Sequence, residues 1–181
     1  MQRFWALILL ILLMPFLLLI SLIIALVSGI PIVFTQERIG LNKKPFVIYK
    51  FRTMRHAQIT ILGRILRKTG MDELPQLVNI IEGNMNFVGP RPLTYADVLR
   101  LGWDSSDYSE RWSVKPGITG LAQLSNVCDA NVSWMNDQEY IKIRSVKTDL
   151  RIIGKSILIP ITGKKSSSLS DSRNRAENST L

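Results

Sequence analysis

From Phe4 to Val27 the chain reads FWALILLILLMPFLLLISLIIALV, apolar at almost every position, uncharged, and interrupted only by Pro15 and Ser21. A helix formed by this run is apolar on every side, and its length of roughly 20 residues or more is that of a segment able to cross a bilayer. Secretory leaders carry apolar stretches of about 7–15 residues that end at a small-residue cleavage site. The segment SGIPIVFTQERIG that follows has no such signature, so the helix is expected to be retained. Pro15 removes a backbone donor and crowds the preceding turn at mid-run, which predicts a kink. Hydropathy fits both a kinked spanning helix and one that turns back to the face it entered.

After Gly29 and Pro31 the pattern changes. Two β-rich runs, Ile32–Thr35 and Phe46–Phe51, flank a polar stretch with Gly40, Asn42 and Pro45, which predicts a β-hairpin. In ITILGRILRKTG the apolar positions Ile61, Leu62, Ile65 and Leu66 recur at helical spacing beside Arg64, Arg67 and Lys68. That is a basic amphipathic helix, suited to a membrane interface, although packing on a core explains the same spacing. Gly70 is expected to end it, and Pro75 to open another helix whose apolar positions are Leu74, Leu77, Val78 and Ile81. EGNMNFVGPRPL and VKPGITGLAQ read as turn-rich loops, and 137–159 as helical. From Gly163 the polar, serine-rich tail lacks periodicity and is expected to be disordered. The expected organisation is a membrane-embedded helix over 1–28, one α+β, helix-rich domain over 29–162, and a tail over 163–181.

Charge adds a location. The chain carries a net charge of +9, and nine basic residues fall between positions 37 and 68 against the single acid Glu37. They are Arg38, Lys43, Lys44, Lys50, Arg52, Arg55, Arg64, Arg67 and Lys68. A basic collar beside a membrane segment predicts a body on the cytoplasmic side, against anionic lipid headgroups, and argues against nucleic acid as the partner. The lone Cys128 excludes an intrachain disulfide and a cysteine metal cage, and is expected to be a small core residue. His56 has no histidine partner for a metal site or a triad, and there is no Walker-type loop.

The candidate chemistry centres on GMDELPQL, where Asp72 and Glu73 stand at a predicted helix start. Free amides and the helix dipole favour an ionised carboxylate there. Capping alone explains acidic residues at such a place, so spacing leaves both a cap and an active site open. Arg91, fixed between Pro90 and Pro92, suits phosphate, because a planar guanidinium makes paired, charge-assisted hydrogen bonds; an internal salt bridge is the other use. Gly117 and Gly120 would let backbone amides approach an anion, or simply make turns.

Taken in order, the Pro-interrupted apolar segment, FTQERIGLNKKPFVIYKFRTM, GRILRKTGMDELPQLVNIIEGNMNFVGPRPL and KPGITGLAQ resemble the monotopic phosphoglycosyl transferases, from about Phe4 to about Ile161. The resemblance implies a Pro-kinked re-entrant helix seated in the cytoplasmic face of the bacterial inner membrane, with interfacial amphipathic helices around the site. It implies transfer of a sugar 1-phosphate from a UDP-sugar to polyprenol phosphate, giving a polyprenyl diphosphosugar and UMP. By the same resemblance Asp72 is the nucleophile of a ping-pong reaction and a ligand of Mg2+, Glu73 is its partner carboxylate, and Arg67 and Arg91 recognise phosphate. Gly70 and Met71 depart from the Ser and Leu more usual before the dyad. An inactive membrane scaffold of the same fold and a phosphohydrolase with an aspartyl intermediate are the competing functions. The sugar, the glycan pathway and the oligomeric state, a homo-oligomer included, are left open.

Overall fold

The computed structural model describes residues 1–125 and 129–162. Cys128 and the tail from Gly163 lie outside the described residues. Chain order is α1 (Gln2–Ser28), β1 (Val33–Ile39), β2 (Pro45–Phe51), β3 (Met54–Arg55), β4 (Gln58–Ile59), α2 (Ile61–Thr69), a 3-10 turn (Met71–Gln76), α3 (Leu77–Glu82), β5 (Asn86–Val88), α4 (Tyr95–Leu101), a 3-10 segment (Ser106–Ser113), β6 (Gly117–Thr119), α5 (Leu121–Leu124), α6 (Ala130–Ile143) and α7 (Val146–Thr162). The molecule is helix-rich with a few short strands, the α+β class expected.

The 27-residue α1 continues through Pro15. It is the one helix among the described residues long and apolar enough to cross a membrane. One face nonetheless packs on the body along its whole length. Ala6 joins Ile48, Leu77, Ile80 and Met85, while Leu17, Ile20 and Ile24 join Phe51 and Leu66. The other sides expose Phe4, Trp5, Ile11, Leu12, Leu18, Leu19, Leu22 and Leu26. Lipid is as apolar as these side chains, so burial alone does little to seat such a helix, and polar contacts at its ends set its register. Gln2 accepts a hydrogen bond from the Phe87 amide (3.1 Å), and the Arg52 guanidinium donates to the carbonyls of Ser28, Gly29 and Ile30. Arg55 adds a bond to Val27 O (3.2 Å).

The hairpin forms as the two β-rich runs and the polar turn between them predict, pairing Val33 with Phe51 through to Ile39 with Pro45. Its first strand runs four residues past Thr35, because Gln36 to Ile39 continue the ladder. One face presents Phe34, Gln36, Arg38, Lys50 and Arg52 to a cavity. A second, two-residue hairpin turns through His56 and Ala57, both at positive φ as a tight two-residue loop requires.

In α2 the apolar positions divide. Leu66 is buried and Leu62 packs on the same core, but Ile61 and Ile65 are exposed beside Arg64. Gly70 ends the helix in the left-handed region (φ 74°), where a side chain is disfavoured. The next element differs from expectation. Pro75 lies inside a 3-10 turn, and α-helical geometry begins only at Leu77. The buried Asn79 clamps α3 to the hairpin edge, donating to Val47 O (2.6 Å) and accepting from the Tyr49 amide (3.2 Å). The stretch 137–159 is two helices, α6 and α7, separated at Arg144 and Ser145.

The two stretches read as loops contain β5 and β6, which pair in parallel, Asn86 with Gly117 and Val88 with Thr119. This gives Gly117 and Gly120 their use. A β-carbon at either would collide with the Gly89 backbone, so they serve close strand packing.

Candidate active site

Asp72 and Glu73 reach one side of a cavity of about 1190 Å³. The left-handed turn at Gly70 and a hydrogen bond from Glu73 N to Gly70 O (3.1 Å) fix their backbone. Cations surround them. Lys50, from β2, donates to Glu73 Oε1 at 2.7 Å. Arg67, from the last turn of α2, donates through Nε to Thr53 Oγ1 at 2.8 Å, which steadies its stem while it lines the cavity. Arg38 bonds Gln36 Oε1 (2.6 Å) and Pro92 O (3.3 Å) and lies 3.8 Å from Asp97. Arg91 also lines the cavity, and its side chain forms no ion pair among the described residues.

The two carboxylates are therefore unequal. Glu73 is neutralised by Lys50, whereas Asp72 forms no ion pair among the described residues. Burial, and then the charge of Glu73, push the Asp72 carboxyl above the ordinary aspartate range; Lys50 and Arg67 hold it back. This runs against the expectation that the free amides and dipole of a helix start favour the ionised carboxylate there. The turn carrying Asp72 is 3-10 and α3 is six residues long, so the dipole is small beside desolvation and a like charge. A carboxylate with raised proton affinity is a more basic nucleophile, provided that it ionises. Burial and Arg91 also lower the proton affinity of Arg38, against which Asp97 and Glu73 act. Two guanidiniums facing one cavity mark a place for an anion.

The rest of the wall is apolar. Leu9 of α1, Leu74, Leu77, Phe87, Ile118, Leu124 and α7 residues Ile153 and Ile157 line it. One space thus joins a cationic end, a carboxylate pair and a greasy flank contributed partly by the membrane-type helix. Among the described residues there is no cluster of three or more His, Cys, Asp or Glu side chains to enclose a metal. The donor set does fit Mg2+, which takes one or two carboxylates and completes its shell with water and substrate phosphate oxygens.

Arg67, Asp72, Glu73 and Arg91 all come to this cavity. Sequence reasoning missed Lys50, Arg38 and Arg52. A signal existed for Lys50, which shares the inward phase of the strand with Ile48, 1% exposed, a place where a lysine requires a partner. Several cations of the basic collar are also bonded within the protein. Among the described residues only Lys44, Arg64, Lys68 and Arg91 of the cations discussed make no side-chain hydrogen bond or ion pair, since Lys43 bonds Asp104 O (2.7 Å) and Arg52 and Arg55 cap α1.

Known proteins are similar to this chain in sequence. The model of the bacterial sugar transferase family matches residues 1–163. The exopolysaccharide production protein PSS of Rhizobium leguminosarum bv. phaseoli is 36% identical over 183 residues, covering 86% of this chain and 90% of that protein. The UDP-glucose:undecaprenyl-phosphate glucose-1-phosphate transferase of Escherichia coli is 34% identical across 82% of this chain, which spans 36% of that longer protein. A UDP-N-acetylgalactosamine-undecaprenyl-phosphate N-acetylgalactosaminephosphotransferase of Aeromonas hydrophila is 33% identical, over 82% of this chain and 40% of its own length. The family match runs from the apolar helix through the dyad to the end of α7, and on that extent the chain belongs to the bacterial sugar transferase family.

Proposed function

We propose that this protein transfers a sugar 1-phosphate from a UDP-sugar to polyprenol phosphate, releasing UMP and forming a polyprenyl diphosphosugar. The observation that carries the reading is the cavity itself, which places a basic carboxylate among cations at one end and an apolar wall, shared with the membrane-type helix, along its flank. The relatives named for this reaction differ in their sugar, so the sugar of this chain is not assigned.

Asp72, ionised, attacks the phosphorus that bears the sugar; the bond from that phosphorus to the UMP oxygen breaks, and UMP leaves with the electron pair. An oxygen of polyprenol phosphate then attacks the same phosphorus, the aspartyl oxygen departs, and the Asp72 carboxylate is regenerated. Lys50 keeps Glu73 from repelling the donor diphosphate, and Arg67 and Arg91 offset its charge. Mg2+, held at Asp72 and by the substrate phosphates, would neutralise charge on the transferring group.

The same reading places the body on the cytoplasmic face of the bacterial inner membrane, with α1 re-entrant or lying in that leaflet. Both ends of α1 are bonded to one body, at Phe87 and at Arg52. A straight helix of this length standing across a bilayer would carry one end roughly 40 Å away. The exposed Ile61 and Ile65 of α2 and Val146, Leu150, Ile157 and Leu158 of α7 suit the interface around it.

The test is UMP release by the purified protein in lipid nanodiscs with magnesium and a panel of UDP-sugars, with and without polyprenol phosphate, beside Asp72→Asn. Acceptor-dependent release from one donor, lost in the variant, is the expected result. Release of free sugar phosphate without acceptor would replace transfer by hydrolysis, and silence across the panel from folded, magnesium-binding protein would support a scaffold.

A further inference from the structure

The loop carrying Arg91 has two prolines and few donors, yet four consecutive carbonyls are held from four directions. Gly117 N donates to Pro90 O (3.0 Å), Arg111 Nη2 to Arg91 O (2.6 Å), Arg38 Nη1 to Pro92 O (3.3 Å) and Ile39 N to Leu93 O (2.8 Å). Arg111 has the most elaborate support. It is 3% exposed, donates through Nε to Asp137 Oδ2 at 2.9 Å, and lies with its guanidinium carbon 4.9 Å from the ring centroids of both Trp103 and Trp112. The Trp112 indole is itself bonded to Trp103 O (3.3 Å).

Stability alone is a poor reason for such a group. Desolvating an ion pair commonly costs as much as the pair returns, and an apolar set of the same volume fills a core as well. What an apolar residue cannot do is grip a carbonyl. Arginine does so in a fixed plane, with one nitrogen on Asp137, another on the loop, and an indole on two sides. We propose that Arg111, oriented by Asp137 and the two tryptophans, is a positioning residue that fixes the Arg91 guanidinium at the phosphate end of the cavity. This rests on the transferase reading, in which Arg91 contacts the donor phosphates.

The experiment is a double-mutant cycle in nanodiscs, with Arg111→Lys made in the natural chain and in Arg91→Ala, and product followed by radiolabel. A lysine keeps the charge but not both in-plane bonds. The expected result is a fall in kcat/KM of about tenfold in the natural background, mainly through KM for the UDP-sugar, and of less than about twofold when Arg91 is already absent. Equal falls in both backgrounds overturn the proposal, because a merely structural residue costs the same whether or not Arg91 is present. If Arg111→Lys does not fold, Asp137→Asn takes its place in the cycle; failure of both to fold makes the pair a core support and ends the proposal. A natural protein silent with every donor instead removes the transferase reading, and this assignment with it.

Discussion

Gly63 and Gly154 both lie inside helices, and replacing each with alanine separates two physical effects. Taken alone, Gly to Ala in a helix interior stabilises by about 0.8–1 kcal/mol, because the glycine backbone loses more freedom on folding. At Gly154 in α7 a β-carbon meets nothing within 4 Å, so that gain is expected in full. At Gly63 in α2 the added carbon would lie 2.8 Å from the Thr53 carbonyl carbon, 2.9 Å from Thr53 Cα, and closer still to Thr53 O. These are backbone atoms that cannot rotate aside, so α2 must move by nearly an ångström. Overpacking of this kind costs about 1–3 kcal/mol, which outweighs the propensity gain. At about 2–4 °C per kcal/mol for a chain of this size, Gly154→Ala should raise Tm by about 2–4 °C, and Gly63→Ala should lower it by up to a similar multiple of the net cost. The second effect is functional. Arg67 is one turn beyond Gly63 and is bonded to Thr53 Oγ1 at 2.8 Å, so moving the helix off Thr53 breaks the contact that aims Arg67. Differential scanning fluorimetry in detergent and UMP release on the same samples read both effects. A Gly63→Ala protein that melts higher and turns over normally would refute the packing argument and the role given to the Thr53 contact.

Asp72→Asn should abolish turnover without lowering Tm at pH 7. A carboxyl raised by burial and by Glu73 favours folding in its protonated form, a contribution present at low pH and lost as pH rises through the folded value. The Tm difference should therefore shrink on acidification, and a difference that widens would contradict the sign. Lys50→Met removes a cation that holds Asp72 down, so the acid limb of kcat/KM against pH should move to higher pH at constant magnesium; an unmoved limb would show that Lys50 acts elsewhere. Cysteines placed at Gln2 and at the exposed Ile30, in a chain with Cys128 replaced by serine, should both be blocked only by reagent reaching the cytoplasmic side. Labelling of position 2 from the outside alone would establish a spanning helix.

The apolar helix, the hairpin and α2 were legible because local chemistry dictates them. A long uncharged apolar run, two β-rich runs flanking Gly40, Asn42 and Pro45, and a glycine at position 70 each constrain the backbone within a few residues. The four site residues were legible only through their motifs. Spacing by itself left Asp72 and Glu73 divided between a cap and chemistry, and Arg91 between phosphate and a salt bridge. Long-range contact decided what local pattern could not. Lys50 selects Glu73 from 23 residues away, and Asp72 is left with no ion pair among the described residues. The parallel pairing of β5 with β6, which gives Gly89 and Gly117 their purpose, joins segments that each read as loop. Arg52, one cation among nine in the collar, was assigned to lipid by charge and to the end of α1 by distance. A run of charge or apolarity specifies what a segment tolerates around it; which partner it meets depends on loop closure and packing over the whole chain, and that information is carried by no single stretch.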